Sequence, residues 1–266
     1  MNRTGFGGLA RFSKSGYGVL GLAGLFAIVE IVPRAGLVDE RFLPPASQIL
    51  STLVAELGTA ELWAALGDTM VGWALGLAIA FCAAVVIGVV IDLVPGLRAA
   101  SRSTIEFLRP IPSVALIPLA TLVFGVSIGS TLLLVVYAAF WQVLIQVLYG
   151  VADVDAVASD TARSYQLSRW SRIRHLVWPT ALPYVMTGLR LGAAVAFILA
   201  ITAELVIGSP GLGLAIQEAQ SGGAVRTVYA LIVLSGLVGI AVNMAVRLLE
   251  RRVLAWHTSV RGDLLT

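Results

Sequence analysis

Charged residues along this chain are spaced so that long apolar runs lie between them. A helix crossing a bilayer needs about 20 mostly apolar residues at about 1.5 Å rise each, so those runs predict the spans. The first extends from Gly16 to Pro33, broken only by Glu30, and the second from Thr69 to Ile91 between Asp68 and Asp92. Pro110 to Ala152 carries no charge over 43 residues, enough for two crossings, with Gly125-Val-Ser-Ile-Gly-Ser130 as the hairpin between them. A fifth run, Leu182 to Ile207, holds Arg190 and Glu204, and a sixth, Thr227 to Val246, holds no charge. The pattern predicts an all-α, polytopic membrane helical bundle of about six transmembrane helices, near 16–33, 69–92, 106–125, 130–150, 182–207 and 227–247. Polar segments at 1–15 and 251–266 flank it, and a polar loop at 153–180 interrupts it.

Two of these runs need comment. The first follows Arg3, Arg11 and Lys14 and has the look of a signal peptide, but no A-x-A cleavage site follows it and Glu30 is foreign to such a segment, so a retained helix is expected. The third carries Pro110, Pro112 and Pro118, which remove backbone donors and kink helices. Irregular backbone at membrane depth survives only against protein or a water-filled cavity, which places Arg109 to Pro118 beside such a path or within the bundle.

Composition narrows the chemistry. Apolar residues make up 58% of the chain and charged ones 12%, about half the charge of a soluble domain. The only lysine, Lys14, follows Ser13, so no P-loop exists anywhere in the sequence. Cys82 has no partner for a disulfide and is expected to be a small core residue; His175 and His257 show no metal-ligand spacing. No metal site, catalytic constellation or bound cofactor is expected in this chain. The isoelectric point near 9.3 reflects membrane sidedness rather than nucleic-acid binding. With the N-terminus inside, fourteen of the 18 basic residues fall on inner segments, against Arg34, Arg41 and Arg226 outside, so both termini are expected on the cytoplasmic face of an inner membrane.

The polar loop carries the most specific pattern. Ala158, Thr161, Ala162 and Tyr165 recur at helical spacing, and a second amphipathic turn from Trp170 to Trp178 is expected to stop at Pro179. Two short helices with small side chains and a few aromatics form a compact knob suited to a groove in a partner protein. The segment resembles the EAA loop of permease subunits of bacterial ATP-binding-cassette importers, E-A-A-x3-G-x9-I-x-L-P, through Asp160-Thr161-Ala162, Gln166, Leu176, Trp178 and Pro179 at matching spacing. Gln166 stands at the glycine position, where a Cβ disfavours positive φ and is expected to slacken the turn. Phe42 to Leu50, Leu108 to Leu116, Trp178 to Tyr184, Gly188 to Leu191 and Ala203 to Gly208 extend the likeness to the nitrate/sulfonate/taurine branch.

That resemblance implies the type I ABC importer permease fold, and a dimer of permease subunits served by two ATPase subunits that bind ATP and Mg and by an extracytoplasmic solute-binding protein. It implies ATPase coupling through Ala158, Asp160, Thr161, Ala162, Tyr165, Gln166, Leu167, Arg169, Trp170 and Pro179. Candidate pathway or gate residues are Arg109, Pro112, Pro118 and the intramembrane carboxylate Glu204, for which a structural role is the competing reading. An ion-coupled secondary transporter is the alternative function; such carriers show interrupted helices in repeated halves, and no internal repeat is visible. Outside the membrane, Gly208-Ser-Pro-Gly-Leu-Gly213 predicts a turn into a short helix, Leu214 to Ala219, and Ser47 to Leu57 an interfacial amphipathic helix.

Overall fold

The computed structural model describes residues 14–94 and 96–256. The chain ends that carry Arg3, Arg11, His257 and Arg261 lie outside the described residues. Every regular element among the described residues is helical: α1 (Lys14–Arg34), α2 (Ala46–Glu56), α3 (Ala60–Leu93), α4 (Leu97–Leu108), α5 (Ile117–Phe124), α6 (Ile128–Ala152), α7 (Ala156–Ser164), α8 (Arg169–Arg172), α9 (Trp178–Ile207), α10 (Leu212–Ser221) and α11 (Val225–Val253). A 3₁₀ turn, Ser113–Leu116, leads into α5, and a π turn, Ile173–Val177, joins α8 to α9. Five helical segments are long and apolar enough to cross a membrane, and the bent pair Leu97–Leu108 and Ser113–Phe124 makes a sixth if it is one span.

The direction of the helices decides that point. Along α3 the small residues Gly72, Gly76, Ala80, Ala84 and Gly88 fall every four positions and are all buried. Gly72 faces Thr131, Gly76 faces Val135 and Gly88 faces Val147 on α6, a constant offset that only parallel helices can give. Small residues on one face let two helix backbones approach closely, which is how helices associate where no hydrophobic force separates them from lipid. Since α3 and α6 run the same way, the chain between them must return across the bilayer, so α4 and α5 together form a broken crossing. Contacts of Gly150 with Ala181 and Tyr184, and of Gly188 and Gly192 with Val143, make α9 antiparallel to α6. Arg190 bonds Glu250 at 3.4 Å and Gly239 abuts Phe197, so α11 runs back against α9.

Several elements depart from the expected bounds, each for a local reason. Helix α3 begins at Ala60, nine residues before the expected span, because Thr59 caps it by accepting the Leu62 amide and Glu61 suits its first turn. The third crossing is not one helix: Pro110 and Pro112 break it, and its halves lie 82° apart. Pro118 falls in the first turn of α5, where its missing donor costs nothing. Pro179 stops nothing. It also lies in the first turn of its helix, and the π turn before it carries the chain from α8 straight into α9. Gly125 at φ +67° ends α5, and Ser127 caps α6 by accepting the Gly129 amide at 3.2 Å.

Two further expectations are corrected, for Cys82 and for the helix after Ser47. Cys82 is exposed on the outer face of α3 rather than in the core. Trp141 is buried and Trp73 donates its indole N–H to the Ala193 carbonyl at 3.0 Å, so both tryptophans belong to the bundle. The α2 helix turns Ile49 and Leu53 into a core with Leu212, Ile216, Leu231 and Leu234, leaving Leu50, Val54 and Leu57 exposed. Glu30 at the end of α1 accepts the amide and hydroxyl of Ser47 at 2.8 and 3.0 Å and pairs with Arg34 at 2.7 Å, fixing the first turn of α2.

Candidate functional site

Between α6 and α9 the chain leaves the bundle and builds a knob from α7, α8 and the π turn. Asp155 starts α7 by accepting the Ala158 amide at 3.0 Å, and Ala162 is its one buried residue. Its end is a Schellman motif: the Leu167 amide reaches the Ala162 carbonyl at 3.0 Å and the Gln166 amide reaches Arg163 at 2.8 Å. Gln166 sits there at φ +54°, the single non-glycine residue with positive φ among those described. The turn is therefore as tight as a glycine would make it, at a conformational cost of about 1 kcal/mol. Ser168 then caps α8 by accepting the Ser171 amide at 3.2 Å.

This construction presents an apolar face. Val157, Tyr165, Leu167 and Trp170 are exposed, Tyr165 to 79% and Trp170 to 70%. A groove of about 760 Å³ runs between α7 and the π turn, floored by Ala158, Thr161 and Ala162 and closed by His175 and Leu176. Asp160 and Arg163 form an exposed pair at 3.4 Å, and Arg169 is exposed at the start of α8. Residues 158–170 of the expected coupling set thus share one body, whereas Pro179 lines a separate cleft of about 560 Å³ with Asp153, Thr180, Pro183, Tyr184 and Thr187. Gln166→Gly is expected to slow amide exchange across 162–168 by removing the strain, and Gln166→Val to speed it, since a β-branched residue resists positive φ.

The candidate pathway residues occupy two places. Arg109, Pro112 and Pro118 lie exposed along the break between α4 and α5, which Tyr137 braces from α6 by donating its hydroxyl to the Leu108 carbonyl at 2.6 Å. Glu204 is 1% exposed, inside α9 near its far end. Its Oε2 accepts the Thr69 hydroxyl at 2.8 Å and the Gly213 amide at 3.0 Å, and the Thr69 oxygen accepts the Leu212 amide at 2.8 Å. Gly211, at φ +148°, lies so close to the carboxylate that a Cβ there would overlap it, and a Cβ on Gly213 would meet the α9 backbone. The glycine-rich turn is thereby a cradle for Glu204, and the two lock α10 against α3 and α9. No hydrogen bond or ion pair joins Glu204 to Arg109 among the described residues. The sequence marks Gly208–Gly213 only as a turn and Thr69 only as the start of a span; their joint role around Glu204 is not legible there, because it depends on contacts up to 143 residues apart.

Comparison with known proteins agrees with this arrangement. The taurine transport system permease protein TauC of Escherichia coli strain K12 is 32% identical over 245 residues, covering 90% of this chain and 89% of that protein. The putative aliphatic sulfonates transport permease protein SsuC of Bacillus subtilis strain 168 is 30% identical, covering 92% of this chain and 89% of that protein. In fold, the chain resembles the MetNI methionine ABC transporter with a TM-score of 0.63 at 16% identity, over 73% of this chain and 96% of that one. Residues 82–255 match the family described as binding-protein-dependent transport system inner membrane component. That stretch holds the broken crossing, α6, the knob and Glu204 with its cradle glycines, and this protein is a member of that family, a permease subunit of an ATP-binding-cassette transporter.

Proposed function

We propose that two copies of this chain form the translocation pathway of an importer driven by two ATPase subunits docked on the α7–α8 knobs, with solute delivered by an extracytoplasmic binding protein. The observation that carries this reading is the knob itself. A chain without a P-loop needs an external motor, and a rigid body with Val157, Tyr165, Leu167 and Trp170 exposed is built to enter a partner's groove. The basic residues at 98–109, 163–174 and 247–252 support a cytoplasmic position for the knob, in the compartment that holds ATP. ATP and Mg are bound by the partner.

The π turn supplies the mechanical link. A push on α8 passes through Ile173–Val177 into α9 without an intervening loop, and α9 reaches the opposite end of the bundle, where Glu204 grips the cradle before α10. Closure of the ATPase pair would then rock α9 against α6 and shift the α10 end, giving alternating access. The solutes named for the relatives, taurine and aliphatic sulfonates, are the first substrates to test.

Tyr165→Ala and Trp170→Ala together are expected to lower co-purification of the cognate ATPase about tenfold or more, as loss of two exposed aromatic anchors does at interfaces, while the melting temperature of the isolated chain stays unchanged. Proteoliposomes with all subunits should take up solute only with ATP inside the compartment facing the knob. Uptake by this chain alone under an ion gradient would establish the secondary-carrier reading instead.

A further inference from the structure

Helix α4 carries charge deep into the bundle. At its start Arg98 donates to the Leu148 carbonyl of α6 at 3.3 Å, and at its end the Leu108 carbonyl accepts from Tyr137 at 2.6 Å. Leu148 is near the inner end of α6 and Tyr137 lies within one turn of its midpoint, so α4 climbs antiparallel to α6 through the inner half of the bundle. Ile105 and Leu108 pack against the core around Trp141. Arg102, Glu106 and Arg109 recur at i, i+4 and i+7 on another face, and all three are exposed.

Such a stripe cannot face lipid. The outer face of α3 shows what lipid accepts, with Leu75, Ile79 and Val86 exposed. On α4, Arg102 pairs with Glu106 at 2.9 Å and Arg98 with Asp92 at 3.9 Å, but Arg109 at the head of the stripe has no ion-pair partner among the described residues. The middle of a hydrocarbon core about 30 Å thick lies about 15 Å from either surface, beyond the reach of a snorkelling arginine. A charge held there is costly against lipid and tolerated against water. The unwound residues 109–112 make the same demand, since irregular backbone at this depth needs protein or a water-filled cavity around it. With Glu106 held by Arg102, the uncompensated charge at the head of the stripe is positive, and a guanidinium fork matches the paired oxygens of an oxyanion.

We propose that the stripe lines a water-filled vestibule open to the inner side, and that Arg109 at its head is the contact for the negative group of the solute, so that the path takes small organic anions such as sulfonates. This rests on the translocation reading above and gives it a specificity-determining residue.

The test uses the full chain in phospholipid nanodiscs, which leave both faces open to water. Ser103→Cys, beside the stripe, is the reporter, and the native Cys82 on the outer face of α3 is the reference. The reagent 2-sulfonatoethyl methanethiosulfonate, itself an aliphatic sulfonate, should label the reporter about tenfold or more faster than Cys82, and about tenfold faster than its trimethylammonium counterpart once each rate is divided by that with a free thiol, since a positive cleft concentrates anions by such factors. Arg109→Gln should erase this preference and Arg109→Lys should keep it. Ethanesulfonate should slow labelling about tenfold at saturation, ethyl methyl sulfone, similar in size but uncharged, should not, and Arg109→Gln should lose the protection. Labelling no faster than at Cys82 places the stripe against lipid or protein and overturns the proposal. Preference or protection that survives Arg109→Gln shows water without an anion contact at Arg109, and equal slowing of both reagents in that variant marks a structural arginine; either overturns it. The labelling needs neither ATPase nor binding protein, so it succeeds or fails independently of coupling through the knob.

Discussion

Glu204→Ala is expected to melt about 10 °C below the wild type in detergent. The change leaves the Thr69 hydroxyl and the Gly213 amide without their acceptor inside the bundle. Each orphaned donor costs about 1–3 kcal/mol, and a chain of this size loses about 2–4 °C per kcal/mol. Glu204→Gln should lose roughly half as much, since one carbonyl oxygen can still accept both bonds. Thr69→Val keeps the shape but removes the donor to Glu204 and the acceptor for Leu212, so it should lose a comparable amount on its own. Combined with Glu204→Ala, it should cost clearly less than the sum, because both changes dismantle one network. Wild-type melting in Glu204→Ala, or strict additivity in the pair, would mean that the carboxylate holds nothing together.

The same network explains why an acidic residue is tolerated at that depth. A charged or polar side chain inside a bundle is expensive unless its bonding capacity is filled, and here the partners are a hydroxyl and a helix-start amide rather than a cation. Arg190, the nearest basic residue in the same helix, is engaged elsewhere, by Glu250. Gly211→Ala should therefore be as harmful as losing Glu204, since the new methyl would occupy the place of the carboxylate.

How far such features can be read ahead of a structure depends on whether they are local. The apolar runs are legible because lipid imposes a length on every crossing, and the α7–α8 knob is legible as a body because its caps and spacing lie within about twenty residues. Gln166 shows the limit of a purely local rule: the Schellman bonds of its neighbours hold it at positive φ although its side chain resists. Pro179 shows another, because a proline ends a helix only where its missing donor was needed, and the π turn places it in a first turn. The small-residue stripe from Gly72 to Gly88 is plain in the sequence, yet its partner is not. Parallel packing on α6 depends on the chain crossing back through a segment whose prolines conceal it as a span. Glu204 was visible as an oddity, and its role as a clasp emerged only with Thr69 and Gly213 beside it.

A second large effect is expected at Gly150. A Cβ on Gly88 would come 2.5 Å from the Val147 side chain, whereas one on Gly150 would come 2.9 Å from the Ala181 Cα and 3.0 Å from its carbonyl oxygen. The two sites therefore separate two kinds of close packing. At Gly88 the obstacle is a side chain that can be cut away, so Gly88→Ala should cost about 1–3 kcal/mol as an overpacked core does. Adding Val147→Ala should return part of that loss, although Val147→Ala alone is destabilising, because the new methyl fills the space that truncation opens. At Gly150 the obstacle is backbone, which no substitution at Tyr184 or Ala181 removes, so α6 and α9 must move apart along their whole contact. Gly150→Ala should cost about 3 kcal/mol or more and Gly150→Leu should abolish the folded chain. Melting temperatures of these variants in detergent decide the matter: rescue at Gly150 by truncating Tyr184, or none at Gly88 by truncating Val147, would show that the helices are not seated as the contacts require. Under the coupling proposed above, in which α9 carries the knob's motion to the Glu204 cradle, the Gly150 contact is where stability and the transmission of force depend on the same few atoms.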